Sequence, residues 1–189
     1  VIDLDGTLLD SAPQLAEAAN RMLREIDYAP VSQELLASYI GNGIGWLVKR
    51  ALTGEMHATP DAALYEHALP IFQKHYSDLL LGSKPYDAAI EGLEAMRAAG
   101  FRLGCITNKS SRFTGPLLEG TGLAKYFDIV VSGDTLPEKK PHPLPLQYAA
   151  KFFGVPVEKL LLIGDSLNDT LAARAAGCPI FCVPYGYNR

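Results

Sequence analysis

The sequence predicts an α/β fold: a doubly wound parallel sheet interrupted after its first strand by an all-α insertion. Three observations carry this. A short apolar entry, Val1-Ile2, runs straight into Asp3-Leu4-Asp5-Gly6-Thr7, a strand that ends in an acidic turn. From residue 13 to residue 81 only helical periodicity is found. From residue 82 onward, apolar runs of four or five residues alternate with amphipathic stretches, the pattern of a sheet covered on both faces.

The elements follow in order. Ser11 is placed to cap a helix with Pro13 near its start, and Leu15, Ala18, Ala19, Met22, Leu23 and Ile26 keep helical spacing over 13–27. Residues 32–39 and 46–53 read as two shorter helices around Gly41-Asn42-Gly43-Ile44-Gly45. A longer helix covers 61–81 with Leu64, Ala68, Leu69, Phe72, Tyr76, Leu79 and Leu80 as its stripe, and Pro70 is expected to kink or split it. Gly82-Ser83-Lys84-Pro85 is a linker signal. Helices are then expected over 88–99, 113–122, 144–153 and 171–176, and strands over 102–106, 128–131, 160–163 and 179–183. The expected division is a discontinuous α/β core, 1–12 and 82–189, with a helical cap over 13–81.

Composition bounds the rest. A 189-residue chain with 48% apolar residues is long enough to bury a core. Net charge of −4 argues against nucleic-acid and anionic-membrane partners, and no apolar run nears the roughly 20 residues of a membrane span. Cys105, Cys178 and Cys182 lie in apolar surroundings without C-x-x-C spacing, so they read as buried thiols of a cytoplasmic protein. The chain opens inside a strand without an initiator Met and closes on Tyr185-Gly186-Tyr187-Asn188-Arg189. It therefore reads as a segment of a longer protein. Monomer and homodimer fit it equally.

Function is sought at the carboxyl ends of the strands, where open parallel sheets place their sites. The four ends deliver Asp3, Asp5, Gly6 and Thr7; Thr107-Asn108-Lys109; Gly133-Asp134 leading to Lys139-Lys140-Pro141; and Gly164-Asp165-Ser166 with Asn168-Asp169. Asp3 and Asp5, one residue apart, face one spot if the strand persists to Asp5. Carboxylates so placed need a cation, a shared proton or strong hydrogen bonds. Clustered carboxylates suit Mg²⁺ with a substrate phosphate. One carboxylate can attack phosphorus while a second serves as acid and base. A hydroxyl, backbone N–H groups and a lysine can bind the phosphoryl oxygens. Thr107 and Asn108 are equally placed to cap the following helix. Asp134, Asp10 and His142 read as structural.

This combination resembles the haloacid dehalogenase-like hydrolases, specifically the phosphatases with a helical cap after the first motif and a HAD-type, Rossmann-like core. Asp3-Leu4-Asp5-Gly6-Thr7 matches D-x-D-G-T, Thr107 the second motif, Lys140 the third, and Gly164-Asp165-Ser166-Leu167-Asn168-Asp169 the fourth, G-D-S-x-x-D. The resemblance implies Asp3 as nucleophile and Mg²⁺ ligand, and Asp5 as acid/base whose carbonyl also meets the metal. It implies Asp165 as a ligand, Asp169 as support for the metal or Lys140, and Lys140 as charge compensation. Phosphate would be bound by Thr107 and Asn108 with Gly6 and Thr7. Lys139 is expected to be solvated.

In the cap, Tyr39-Ile40-Gly41-Asn42-Gly43 and Leu47-Val48-Lys49-Arg50-Ala51-Leu52 resemble bacterial phosphoglycolate phosphatases, as do Pro141-His142-Pro143 and the Tyr185-Gly186-Tyr187-Asn188 tail. The small phosphorylated metabolite this implies is 2-phosphoglycolate. A carboxylate there could pair with Arg50 or Lys49, although both are expected on a solvated helix face. Ser110 and Asp87-Ala88 depart from the family pattern, which often has Pro and Pro-Gly at these places. The alternatives are a sugar phosphomutase, another small-metabolite or nucleotide phosphatase, and a regulatory binding protein on the same scaffold.

Overall fold

The computed structural model describes residues 1–187; Asn188 and Arg189 of the expected tail lie outside the described residues. Four parallel strands form the two halves of the sheet: β3 (Gly104–Ile106) beside β4 (Ile129–Val131), and β5 (Leu162–Gly164) beside β6 (Ile180–Cys182). Ile2 joins the two pairs, bridging Cys105 on one side and Ile163 on the other. Its N–H donates to the Gly104 carbonyl and its carbonyl accepts from the Ile106 N–H, both at 2.9 Å. The expected first strand is thus the centre of the sheet, although only Ile2 makes the bridges. The order is β4, β3, the chain start, β5, β6.

Between Asp10 and Lys84 the chain is helical: α1 (Ala12–Glu25), α2 (Gln33–Ser38), α3 (Ile44–Thr53) and α4 (Ala62–Leu79). Ser32 and Asp61 cap α2 and α4 by accepting from the N–H groups three residues on, and α3 stops at Gly54 in a left-handed conformation. Pro70 neither splits nor ends α4. It faces solvent together with Glu66, so water can take up the carbonyl that proline leaves unpaired. Entry and exit of this block run side by side: β1 (Leu9–Asp10) pairs antiparallel with β2 (Lys84–Pro85), a hairpin-like neck that periodicity did not signal.

The rest is the α/β alternation: α5 (Ala89–Ala98), α6 (Ser111–Gly120), α7 (Leu144–Phe153) and α8 (Leu167–Ala176). Helix α8 begins four residues before the expected start, because Ser166 and Asp169 form a reciprocal capping box. Two apolar clusters flank the sheet. One joins Ile106, Val131 and Leu162 to Leu146, Ala149, Ala172 and Ala173; the other joins Ile2, Leu4 and Cys105 to α1, α4 and Phe113. Cys105 and Cys178 are buried as expected. Cys182 is exposed, because the sheet ends at β6 and this thiol faces outward from the edge strand.

Candidate active site

The centre of the site is a lysine between two carboxylates. Lys140 Nζ lies 2.9 Å from Asp3 Oδ1 and 2.6 Å from Asp169 Oδ1, and it donates to the Ile106 carbonyl at 2.7 Å. Burial and the Asp169 charge push the Asp3 carboxyl well above its ordinary range, with Lys140 pulling it back. Burial also acts on Asp169, but the Lys140 ammonium and bonds from Ser166 outweigh it and hold that carboxyl low. Burial would lower Lys140, yet its two acidic neighbours raise it.

Asp3, Asp165 and Asp169 each bring a carboxylate oxygen within 4.8 Å of the others. An all-oxygen, anionic donor set at one buried point fits Mg²⁺. The oxygens of Asp169 are already engaged, Oδ1 by Lys140 and Oδ2 by the Ser166 N–H at 3.0 Å and hydroxyl at 2.5 Å. Asp165 accepts from the Thr7 hydroxyl at 3.0 Å and from the Tyr187 N–H at 2.8 Å, and burial raises its carboxyl. Gly6 packs directly on the Asp165 carboxylate: a Cβ there would collide with it, and its φ of +86° is one that side chains disfavour. Gly6 and Thr7 therefore sit against Asp165 and do not line the cavity over Asp3.

Asp5 faces a second lysine. Lys109 Nζ contacts both Asp5 oxygens, at 2.9 and 3.0 Å, and lies 4.9 Å from the ring centre of Tyr76 on α4. Ser11 donates its hydroxyl to Asp5 Oδ1 at 2.5 Å and so makes no side-chain cap for α1, contrary to expectation. The acceptor for the first N–H groups of α1 is instead the Tyr187 hydroxyl, 2.6 Å from Ser11 N and 3.0 Å from Ala12 N. Lys109, Ser11 and Tyr187 had no assigned place in the site from sequence. Lys109 alone carried a signal there, as a cation at a strand end among carboxylates.

A cavity of about 30 Å³, room for one or two waters, lies between core and helical block. Asp3, Asp5, Thr107, Asn108, Lys109 and Lys140 meet Gly41, Gly43, Ile44 and Leu47 there. The Gly41 carbonyl accepts from Asn108 Nδ2 at 2.8 Å and from Asn168 Nδ2 at 3.2 Å. Asn108 Nδ2 also donates to the Lys140 carbonyl at 2.8 Å, so both its amide hydrogens are engaged. Thr107 Oγ1 accepts from the Lys109 N–H at 3.2 Å.

Two expectations about basic residues change. Arg50 is 4% exposed and not on a solvated face. It donates to the carbonyls of Tyr39 (2.6 Å) and Met56 (3.0 Å) and to Asn42 Oδ1 (2.8 Å), pinning the glycine loop from within. Lys139 reaches across to the Asn42 carbonyl at 2.9 Å, so it too is engaged. Lys49 lies over the Trp46 and Tyr65 rings. Asp134 accepts from the Ser111 N–H and hydroxyl, His142 Nδ1 from the Leu144 N–H, and Asp10 lies 3.0 Å from the Tyr187 hydroxyl, all structural roles.

Residues 1–183 match the family model described as haloacid dehalogenase-like hydrolase. The phosphoglycolate phosphatase of Thiobacillus denitrificans is 60% identical over 190 residues, covering 100% of this chain and 84% of that protein. Its counterpart from Nitrosospira multiformis is 54% identical, covering 100% and 83%. A crystal structure described as a predicted phosphoglycolate phosphatase from Haemophilus somnus superposes with a TM-score of 0.93 at 35% identity, covering 99% of this chain and 85% of that one. The chain belongs to the haloacid dehalogenase-like hydrolases.

Proposed function

We infer that this protein is a Mg²⁺-dependent phosphomonoesterase whose substrate is 2-phosphoglycolate, released as glycolate and phosphate. The observation that carries the reaction is the pairing of Asp3 with Lys140 at 2.9 Å inside a cavity that also holds Asp5 and Thr107. The substrate rests on the relatives' names. In this reading residues 13–81 are a cap over the core of 1–12 and 82–189.

Asp3 attacks phosphorus with a carboxylate oxygen while the bond from phosphorus to the ester oxygen breaks. Asp5, which pairs with Lys109 at rest, takes up a proton from solvent and gives it to that departing oxygen. Water then attacks the aspartyl-phosphate, Asp5 takes the water's proton, phosphate leaves with Asp3 restored, and Asp5 returns that proton to solvent as it pairs with Lys109 again. Lys140 offsets charge at Asp3 and the phosphoryl group throughout, and its second carboxylate, Asp169, holds it there. Thr107, which lines the cavity beside Asp3, would offer its hydroxyl to a phosphoryl oxygen. The engaged amide of Asn108 serves instead to dock Gly41. Asp3, Asp165 and the Asp5 carbonyl would hold Mg²⁺, with Asp169 steadying the group through Ser166 and Lys140. When bound, the ion neutralises charge on the phosphoryl oxygens and orients them.

Phosphate release from a panel of small phosphomonoesters, with Mg²⁺ and with EDTA, tests the reading. Release that is greatest on 2-phosphoglycolate, needs the metal and vanishes in Asp3→Ala is expected. Preference for a sugar phosphate or nucleotide would refute the substrate. A folded protein inert on every ester would refute the reaction.

A further inference from the structure

The two lysines in the cavity are not equivalent. Lys140 keeps company with two carboxylates and a carbonyl. Lys109, 4% exposed, has a single anionic partner among the described residues, Asp5, and beyond it only the Tyr76 ring. Asp5 cannot hold Lys109 and also serve the ester oxygen unchanged. Its Oδ1 already takes the Lys109 ammonium and the Ser11 hydroxyl, and its Oδ2 takes the same ammonium. When Asp5 turns to the substrate, the buried ammonium is left with Tyr76 and no anion, a state that is unfavourable unless another anion arrives.

The remaining walls say where that anion comes from. Leu15, Ile40, Ile44 and Leu47 close the cavity with apolar surface. Opposite the core stands the start of α3, whose N-cap Gly43 provides no side-chain acceptor and so leaves the positive end of the helix facing the space. Among the described lining residues Lys109 is the one cation, apart from the lysine at the nucleophile.

We propose that Lys109 is an exchangeable counter-ion. It holds Asp5 in the resting site and passes to the substrate's carboxylate as Asp5 turns to the ester oxygen, so that it selects phosphomonoesters bearing a carboxylate beside the phosphate. The proposal rests on the phosphatase reading above and extends it to a named specificity residue. Tyr76 on α4 stands over Lys109, 4.9 Å from ring centre to Nζ, so the exchange takes place beneath the helical block.

The test compares 2-phosphoglycolate with 2-hydroxyethyl phosphate, which has the same skeleton with an alcohol in place of the carboxylate. Wild type, Lys109→Met and Lys109→Gln are each assayed for kcat/KM on both esters, with folding checked by circular dichroism. The Gln variant keeps a donor toward Asp5 and covers the case in which Met is not tolerated. Any loss through mispositioned Asp5 falls on both esters and cancels in their ratio. The preference for 2-phosphoglycolate is expected to drop about 100-fold in the variants, the size typical of removing one partner of a buried charge pair. An unchanged ratio, with both esters slowed alike, would overturn the proposal and reduce Lys109 to positioning Asp5. A wild type indifferent to the carboxylate would overturn it while leaving the phosphatase reading intact. A wild type inactive on both would instead remove the phosphatase reading itself.

Discussion

Lys140 and Asp169 meet at 2.6 Å with 2% and 0% of their side chains exposed, which makes them a sealed ion pair beneath the cavity that Lys140 lines. The pair is assembled from distant parts of the sequence: Lys140 from the loop after β4, Asp169 from the first turn of α8, fixed there by its capping box. Replacing Asp169 leaves Lys140 with Asp3 alone, at 2.9 Å, and removes the charged half of the capping box. Asp169→Asn is therefore expected to cost about 1–3 kcal/mol, read as a lower urea midpoint at unchanged slope. A midpoint equal to wild type would show that Asp3 alone suffices as counter-ion.

The acid groups predict how metal and pH interact. Burial raises Asp3 and Asp165 above the ordinary value of 3.8. A raised value in the folded state means that folding favours the protonated forms. Their contribution to the stability of the metal-free protein thus declines as pH rises through the window above 3.8. In the proposed reading Mg²⁺ would act in the opposite direction, since it would bind the ionised carboxylates. The rise in melting temperature on adding Mg²⁺ should be larger at about pH 7.5 than at about pH 5. Equal shifts at both would remove these carboxylates from the metal site.

Arg50 predicts a defect in the cap. One guanidinium serves three acceptors around the glycine loop, and a lysine offers no fork to replace it. Arg50→Lys should lose about 3 kcal/mol of stability through unpaired buried acceptors. With Gly41 and Gly43 less well held, KM should rise more than kcat falls. A variant with normal KM would mean that the loop is held from the core side, by Asn108, Asn168 and Lys139.

Ala88 predicts a gain. It precedes α5 with φ of +61°, a left-handed conformation that costs a side-chain-bearing residue about 1–2 kcal/mol. Ala88→Gly should therefore raise stability by about 1 kcal/mol without touching the site, as thermal or urea melts would reveal. Unaltered stability would mean that the flexibility glycine adds to the unfolded chain cancels the relief.

Much of this architecture was legible because its signals are local. The helices announced themselves through periodicity, and the sheet through apolar runs followed by polar strand ends. Lys140 and Asp169 could be named from motif order, and the resemblance left open whether Asp169 supports the metal or Lys140, since pairing across 29 positions leaves no trace in spacing. The fate of Arg50 was misjudged for a related reason: a basic residue on an amphipathic helix looks solvated unless the carbonyls it serves are known. The Ser11 hydroxyl was expected only to cap α1, and a tertiary partner that spacing does not reveal, Asp5, prevailed over the local cap. The neck strands β1 and β2 are two residues each, too short for alternation to register.

That neck has an evolutionary consequence. Because Leu9–Asp10 and Lys84–Pro85 lie paired, the helical block leaves and rejoins the core at essentially one point. Inserts of other lengths and shapes can be spliced between those two strands with no change in the register of the sheet or the spacing of its acidic ends. Recognition can thus be rewritten by grafting, while the machinery for breaking the phosphate ester is inherited whole.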